Sequence, residues 1–198
     1  GTAQAPITLV AEHWAARPSV SPSNYSDIRT GRDDPTNAFD NCGSGFGARS
    51  SSYVKWIGFY SNANDPKNII ASDGGYGSLR YGTYLEMHYC RIVGNPATID
   101  NKNDNYCGIR LENTDFSVTD NNDVSGFIGT RTNYSGMIAY RSWDWKAHNN
   151  HIYNCQNGFQ PKGGYKVGER TKFGGFLRWD CAYNYIHNCK IAIRAHSV

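Results

Sequence analysis

The sequence predicts an all-β fold, a solenoid of short strands stacked coil upon coil. Two observations lead there. The chain carries 14 Tyr, 5 Trp and 21 Gly, and Ala, Leu, Glu and Lys never form a sustained run at helical spacing. Tyr, Thr, Val, Ile and Trp instead fill the stretches between Gly, Asn and Asp punctuation, the composition of strands and turns. The second observation is a repeated phrase.

"GIRLENTDFSVTDNNDVSGF" (108–127) aligns with "GMIAYRSWDWKAHNNHIYNC" (136–155) at an offset of 28 residues. Gly108 matches Gly136, Asn121 and Asn122 match Asn149 and Asn150, and Val124 matches Ile152. A third copy, "GFLRWDCAYNYIHNCKIAI" (175–193), is shorter before Ile186 and ends in "YIHNC", an echo of "HIYNC". Residues 51–70 and 83–99 fit more loosely. The middle strands of the first two copies look out of phase, which predicts a bulge between them or an alignment off by one residue. Self-similarity at this period marks a solenoid whose neighbouring units bury one another's apolar side chains. The asparagines then mark a turn, because Asn tolerates the left-handed region and its amide can bond along a column. Val124, Ile152 and Ile186 are expected in one interior column, with Asn122, Asn150 and Asn184 lining a turn beside it.

These motifs, with the opening "GTAQAPITLVAE", resemble the right-handed parallel β-helix of the pectate-lyase-like superfamily. The resemblance covers about residues 45–198. It implies a short rod of about seven turns at ~25 residues per coil, expected to belong to a longer coil stack. Residues 1–44 are read as a leading strand followed by a long side loop, and residues 45–198 as the coils.

Bulk properties narrow the function. Twenty basic against 17 acidic residues give a net charge of +3, with no basic run, so nucleic acid is not an expected partner. No apolar stretch reaches the length of a membrane span. The six cysteines, at 42, 90, 107, 155, 181 and 189, contain no CxxC pair, which argues against a zinc ribbon or thioredoxin motif. Their even number favours an oxidising, secreted setting with disulfides. Asn24-Tyr25-Ser26 and Asn133-Tyr134-Ser135 fit the N-glycosylation pattern. Cys155 and Cys189 end equivalent phrases, so they are expected side by side on neighbouring coils, bonded or merely stacked.

The superfamily resemblance implies an enzyme or binder of acidic polysaccharide. Lyases of this type need a base and cations that stabilise an enolate-like intermediate. Arg110, Arg141, Lys162, Arg178 and Arg194 follow the first strand of successive copies and form a cationic column if those strands are consecutive. Lys162, in "NGFQPKGG", is the candidate base and Arg178, in "FLRWD", its catalytic partner. Their order is similar to that of alginate and chondroitin lyases of this fold, although the acidic calcium ligands of those enzymes are missing from the matching stretch. Arg110, Arg141, Arg194 and His148 are candidate substrate contacts. Trp143, Trp145 and Trp179 are candidates for a sugar-stacking platform, with Trp143 and Trp145 on one face and at least one of the three in the core.

A hydrolase would need paired carboxylates. "NTD" at 113–115 lacks its partner motif, and Asp144 and Asp180 follow Trp143 and Trp179 in adjacent copies. The histidines 148, 151, 187 and 196 are read as hydrogen-bonded turn residues, not metal ligands. No cofactor is expected other than calcium, for which "DNKNDN" (100–105) is a weak candidate because it lacks the glycine and distal glutamate of an EF-hand loop. Two non-enzymatic readings stay open beside the lyase. One is a sugar-binding or adhesive module; the other is a fibre subunit that self-associates through exposed coil ends.

Overall fold

The computed structural model describes residues 1–10, 26–27, 46–49, 51–62, 75–94, 106–130, 132–162 and 178–195. Within them the chain is all β, in three parallel six-stranded sheets. Strands are numbered in chain order. Sheet A contains β1 (Ile7–Val10), β4 (Val54–Ile57), β7 (Leu85–His88), β10 (Val118–Asp120), β13 (Trp145–His148) and β16 (Trp179–Ala182). Sheet B contains β2 (Ser26–Asp27), β5 (Phe59–Asn62), β8 (Arg91–Val93), β11 (Asp123–Ser125), β14 (His151–Tyr153) and β17 (Tyr185–His187). Sheet C contains β3 (Phe46–Arg49), β6 (Gly75–Arg80), β9 (Cys107–Glu112), β12 (Ser135–Tyr140), β15 (Asn157–Lys162) and β18 (Ile191–Ile193). The chain visits A, B and C in turn, and every strand pairs with the strand three places away. That succession is compatible with a parallel β-solenoid. The described residues supply six strands to each sheet.

Register follows the repeat. Ile92, Val124, Ile152 and Ile186 pair in sequence across sheet B, and the first three are fully buried. The expected interior column therefore exists, and Phe159 is buried as well. The repeat glycines have a matching cause. A Cβ on Gly108, Gly136 or Gly158 would overlap Val124, Ile152 or Ile186 respectively. The expected bulge between the first two copies is absent, since β9 pairs with β12 and β10 with β13 at the same offset of 28 residues. The mismatch in pattern arises in β10 and β13, where the outward Val118 pairs with the exposed Lys146 and the buried Thr119 with the buried Ala147, so an apolar residue stands outside and a polar one inside. Coil lengths vary, and those measured along sheet A exceed the sequence estimate. In sheet A, Val54 pairs with Leu85, Glu86 with Val118, and Trp145 with Trp179.

The strands are short because each coil turns sharply at fixed corners, where one or two residues adopt a positive φ. Gly58, Tyr89, Asn121, Asn149 and Tyr183 do so between sheets A and B. The next residue is the structural one. Asn122 Oδ1 accepts from the Cys90 amide at 2.9 Å, and Asn150 Oδ1 accepts from the Asn122 amide and from Asn122 Nδ2. Asn184 Oδ1 accepts the same pair of bonds from Asn150. The Nδ2 groups also reach inward to the carbonyls of Met87, Thr119 and Ala147. A carboxamide offers two donors and two lone pairs, and Asn150 uses all four while nearly fully buried. The paired asparagines thus divide the work: the first makes the bend and the second bonds along the stack.

The five described cysteines are free thiols; Cys42 lies outside the described residues. Cys155 and Cys189 do meet on neighbouring coils, as stacked rather than bonded groups. The Cys155 S–H faces the Tyr153 carbonyl at 3.2 Å; interaction with the neighbouring Cys189 thiol, and then burial, push Cys155 upward. The same neighbour acts the other way on Cys189, bringing it down from 9.0 to about 7.

Two outcomes follow from these contacts. Asn150→Ala leaves the buried Asn122 amide without its acceptor and should cost about 2–4 kcal/mol in urea unfolding. Asn149→Gly, one residue earlier, suits the same bend and should stay within about 0.5 kcal/mol of wild type. Since the thiolate is the nucleophile, iodoacetamide should modify Cys189 before Cys155, with a rate that rises as pH passes about 7. Cys155→Ala should move that rise upward, towards ~8.5, read by peptide mass spectrometry.

Candidate functional site

The register that stacks the core also stacks the outer side chains. On sheet A, Lys55, Glu86, Val118, Lys146 and Asp180 form one outward column. Ile57, His88, Asp120, His148 and Ala182 form the next. Lys55 Nζ lies 2.7 Å from Glu86 Oε2, His88 Nε2 is 2.8 Å from the same oxygen, and His148 Nε2 is 2.9 Å from Asp180 Oδ2. The His88 bond leads in lowering Glu86, and the Lys55 bond and charge add to it. Together they outweigh burial and bring the carboxyl from 4.5 to about 2.

The corner that precedes sheet A carries an aromatic ladder. Tyr53, Tyr84, Phe116 and Asp144 all take positive φ there. The Tyr53 and Tyr84 rings stack at 4.7 Å, and Tyr84 and Phe116 at 4.9 Å. At the next coil the position holds the small Asp144, so among the described residues no ring follows Phe116 in this column. The Phe116 side chain is 44% exposed. Where the ladder stops, an open groove of about 730 Å³ begins. Tyr84 and Phe116 wall it, Glu86, Val118, Lys146 and Asp180 floor it, and Asp144 with Arg178 closes one end. Arg178 grips Asp144 through two bonds, Nε–Oδ1 at 2.6 Å and Nη2–Oδ2 at 3.0 Å.

The sequence candidates are distributed across this surface. Arg178 and His148 sit on the sheet A face beside the groove. Trp179 pairs with the fully buried Trp145, packs partly buried against the core and donates Nε1 to the Ser142 carbonyl. Its ring therefore packs on the core and still lines the groove. Trp143 bridges Asp115 and is half-buried, and it does not share the Trp145 face because Asp144, between them, breaks the alternation with φ 48°. The pairing of Asp144 with Asp180 is also shifted: Lys146 is the register partner of Asp180.

The five cations do not form one column. Arg110 lies within sheet C in register with Ser78, Ile138 and Gln160, is 8% exposed, and donates Nε to Glu112. Lys162 ends β15 opposite Tyr140, with Nζ 3.2 Å from Asn133 Oδ1 and 5.6 Å from the Tyr140 ring. Arg141 occupies the following bend, with its guanidinium 4.6 Å from the same ring centroid. Arg194 follows β18 and donates its amide to Phe159. Thus Arg141 and Lys162 come together on sheet C, whereas Arg178 stands on sheet A. Asp33-Asp34, "DNKNDN", Gly163-Gly164, His196 and Asn24 lie outside the described residues. Sequence reasoning missed Tyr84, Phe116, Glu86 and Lys146. Their signal was an aromatic at one fixed place in each early coil, visible only once coils of unequal length are aligned.

No protein-family model, no curated protein and no solved structure matches this chain.

The Glu86 contacts carry a sign. Its folded value lies below the ordinary one, so its contribution is complete above that ordinary value and is lost as pH falls from about 4.5 towards 2. Unfolding measured across that window should show a steep acid limb for wild type. Glu86→Gln should flatten the limb and leave the neutral-pH side of the curve shallow.

Proposed function

We propose that this chain is a secreted right-handed parallel β-helix of the pectate-lyase-like type that holds an acidic polysaccharide along the outer face of sheet A. The observation that carries the reading is the groove beginning where the aromatic ladder ends. Aromatic rings offer a pyranose an apolar face at low entropic cost. The floor repeats at the strand spacing, about 4.8 Å per coil, so an elongated ligand meets a regular series of polar groups. Lys146 and Arg178 are the cations placed to receive uronate carboxylates, and Arg178 would exchange its bond to Asp144 for one to the ligand.

β-Elimination is the narrower form of the same reading. Lys162 stands on sheet C, bonded to Asn133 and over the Tyr140 ring, so it is not the base for a ligand held beside Arg178 on sheet A. Elimination in this groove would draw its base from the groove's own residues, with Arg178 as the charge-stabilising group. A second reading has its own support. In the last described coil Tyr183, Tyr185 and Ile193 are exposed, and Cys181 of β16 is exposed too. Such a face suits end-to-end self-association of a structural subunit.

The test is retention and cleavage of alginate, pectate and chondroitin, with affinity electrophoresis for binding and ultraviolet absorbance for the unsaturated product. Phe116→Ala and Lys146→Ala should each weaken binding about tenfold, as loss of ~1.4 kcal/mol implies. Arg178→Ala should weaken both binding and any turnover, whereas Lys162→Ala should leave binding unchanged because its side chain stands on sheet C. If no uronate polymer is retained or cleaved, the polysaccharide reading fails, and concentration-dependent assembly in sizing and electron microscopy becomes the expected behaviour.

A further inference from the structure

The outer face of sheet B carries a side-chain cluster that the groove does not use. In β14 the order is His-Ile-Tyr and in β17 it is Tyr-Ile-His, so His151 pairs with Tyr185 and Tyr153 with His187. The two histidines are therefore diagonal neighbours, 36 residues apart in the chain, with Nε2 atoms 2.9 Å from each other. Their ring centroids are 5.1 Å apart and their planes differ by 22°, so the rings meet edge to edge with Nε2 atoms converging. On the far side, His151 Nδ1 lies 3.2 Å from Asp123 Oδ2.

We propose that His151 and His187 form a binding site for one divalent transition-metal ion of the copper, nickel and zinc group, with Asp123 orienting His151 from behind. Two imidazole nitrogens come this close only when a proton or a metal ion lies between their lone pairs. An ionised carboxylate only accepts hydrogen bonds, so Asp123 holds the His151 proton on Nδ1 and leaves Nε2 as a lone pair. In the metal-free protein the His187 Nε2–H fills the gap. Binding moves that proton to Nδ1 of His187 and frees the second lone pair, with no net proton lost from the neutral pair.

The distance suits the metal. Bonds of ~2.0 Å at right angles place two nitrogens about 2.8 Å apart, as in tetragonal Cu(II) or Ni(II), and tetrahedral Zn(II) needs about 3.3 Å. The nitrogen separation thus already matches copper, and a tilt of both rings that turns their facing lone pairs towards a common point completes the site; zinc needs a further small separation of the nitrogens. Neighbouring rings flank both imidazoles. Tyr153 lies 4.6 Å from His151 and 5.3 Å from His187, and Tyr185 lies 5.4 Å and 4.8 Å from them. A ligand oriented by an outer carboxylate is the usual design of histidine metal sites. The described residues hold no group of three or more His, Cys, Asp or Glu placed to bind a metal ion, so the remaining positions belong to water or an incoming ligand. The His151 side chain is 39% exposed, which leaves the site open to solvent.

The experiment uses untagged, chelator-treated protein titrated with copper(II), nickel(II) and zinc(II) chlorides by calorimetry, with electron paramagnetic resonance of the copper form. One ion per chain is expected, copper tightest, with hyperfine coupling to two imidazole nitrogens. His151→Gln and His187→Gln should each weaken copper binding at least tenfold, and Asp123→Asn about 10–100-fold. His88→Gln and His148→Gln should leave it unchanged. Circular dichroism checks the fold of each variant, and the nitrogen count in wild type decides the matter if a variant misfolds. Absence of stoichiometric binding, a copper signal without two imidazole nitrogens, or loss of binding in the His88 or His148 variants instead would overturn the assignment.

Discussion

The rest of the structure depends on how the chain turns from sheet A into sheet B. A turn inside a stack exposes backbone groups that neighbouring coils exclude from water, and a buried amide without a partner costs about 1–3 kcal/mol. Asn122, Asn150 and Asn184 meet that demand by accepting the amide of the coil before and donating to its carbonyls. A slip of one residue would break these bonds and turn the apolar set outward. The same ladder that satisfies the corner therefore fixes the register of both flanking sheets.

Fixed register has a consequence for the surface. Each outward position is repeated by the next coil, so a residue choice becomes a column. Where like residues follow one another the column is a structural ladder, as with the Tyr53, Tyr84 and Phe116 rings. Where the choice changes, an opening or a chemical contact appears. Asp144 in place of a fourth ring gives the groove on sheet A. Exchange of His and Tyr between β14 and β17 gives the imidazole pair on sheet B. Both features arise from a departure within an otherwise regular repeat.

The basic residues illustrate how far a column can be read without coordinates. The five cations look equivalent because each follows a glycine-led strand, yet their chemical settings differ. Arg110 is buried and committed to Glu112, Arg178 is held by Asp144 at the surface, and Lys162 lies over the Tyr140 ring. Position after a strand does not fix the sheet, because segments of unequal length separate the copies. The equivalence of Trp143 with Trp179 failed for the same reason: the true partner of Trp179 is Trp145.

The sequence by itself determined the all-β class, the interior column of Val124, Ile152 and Ile186, and the asparagine turn. Those features rest on local rules: strand propensity, tolerance of a left-handed bend, and a period shared by consecutive copies. Only the tertiary structure decided which outward side chains meet. The groove joins Glu86 to Lys146 and Asp180, and the imidazole pair joins His151 to His187, across intervals that vary from coil to coil. Such contacts depend on the whole path of each coil, which no local spacing encodes.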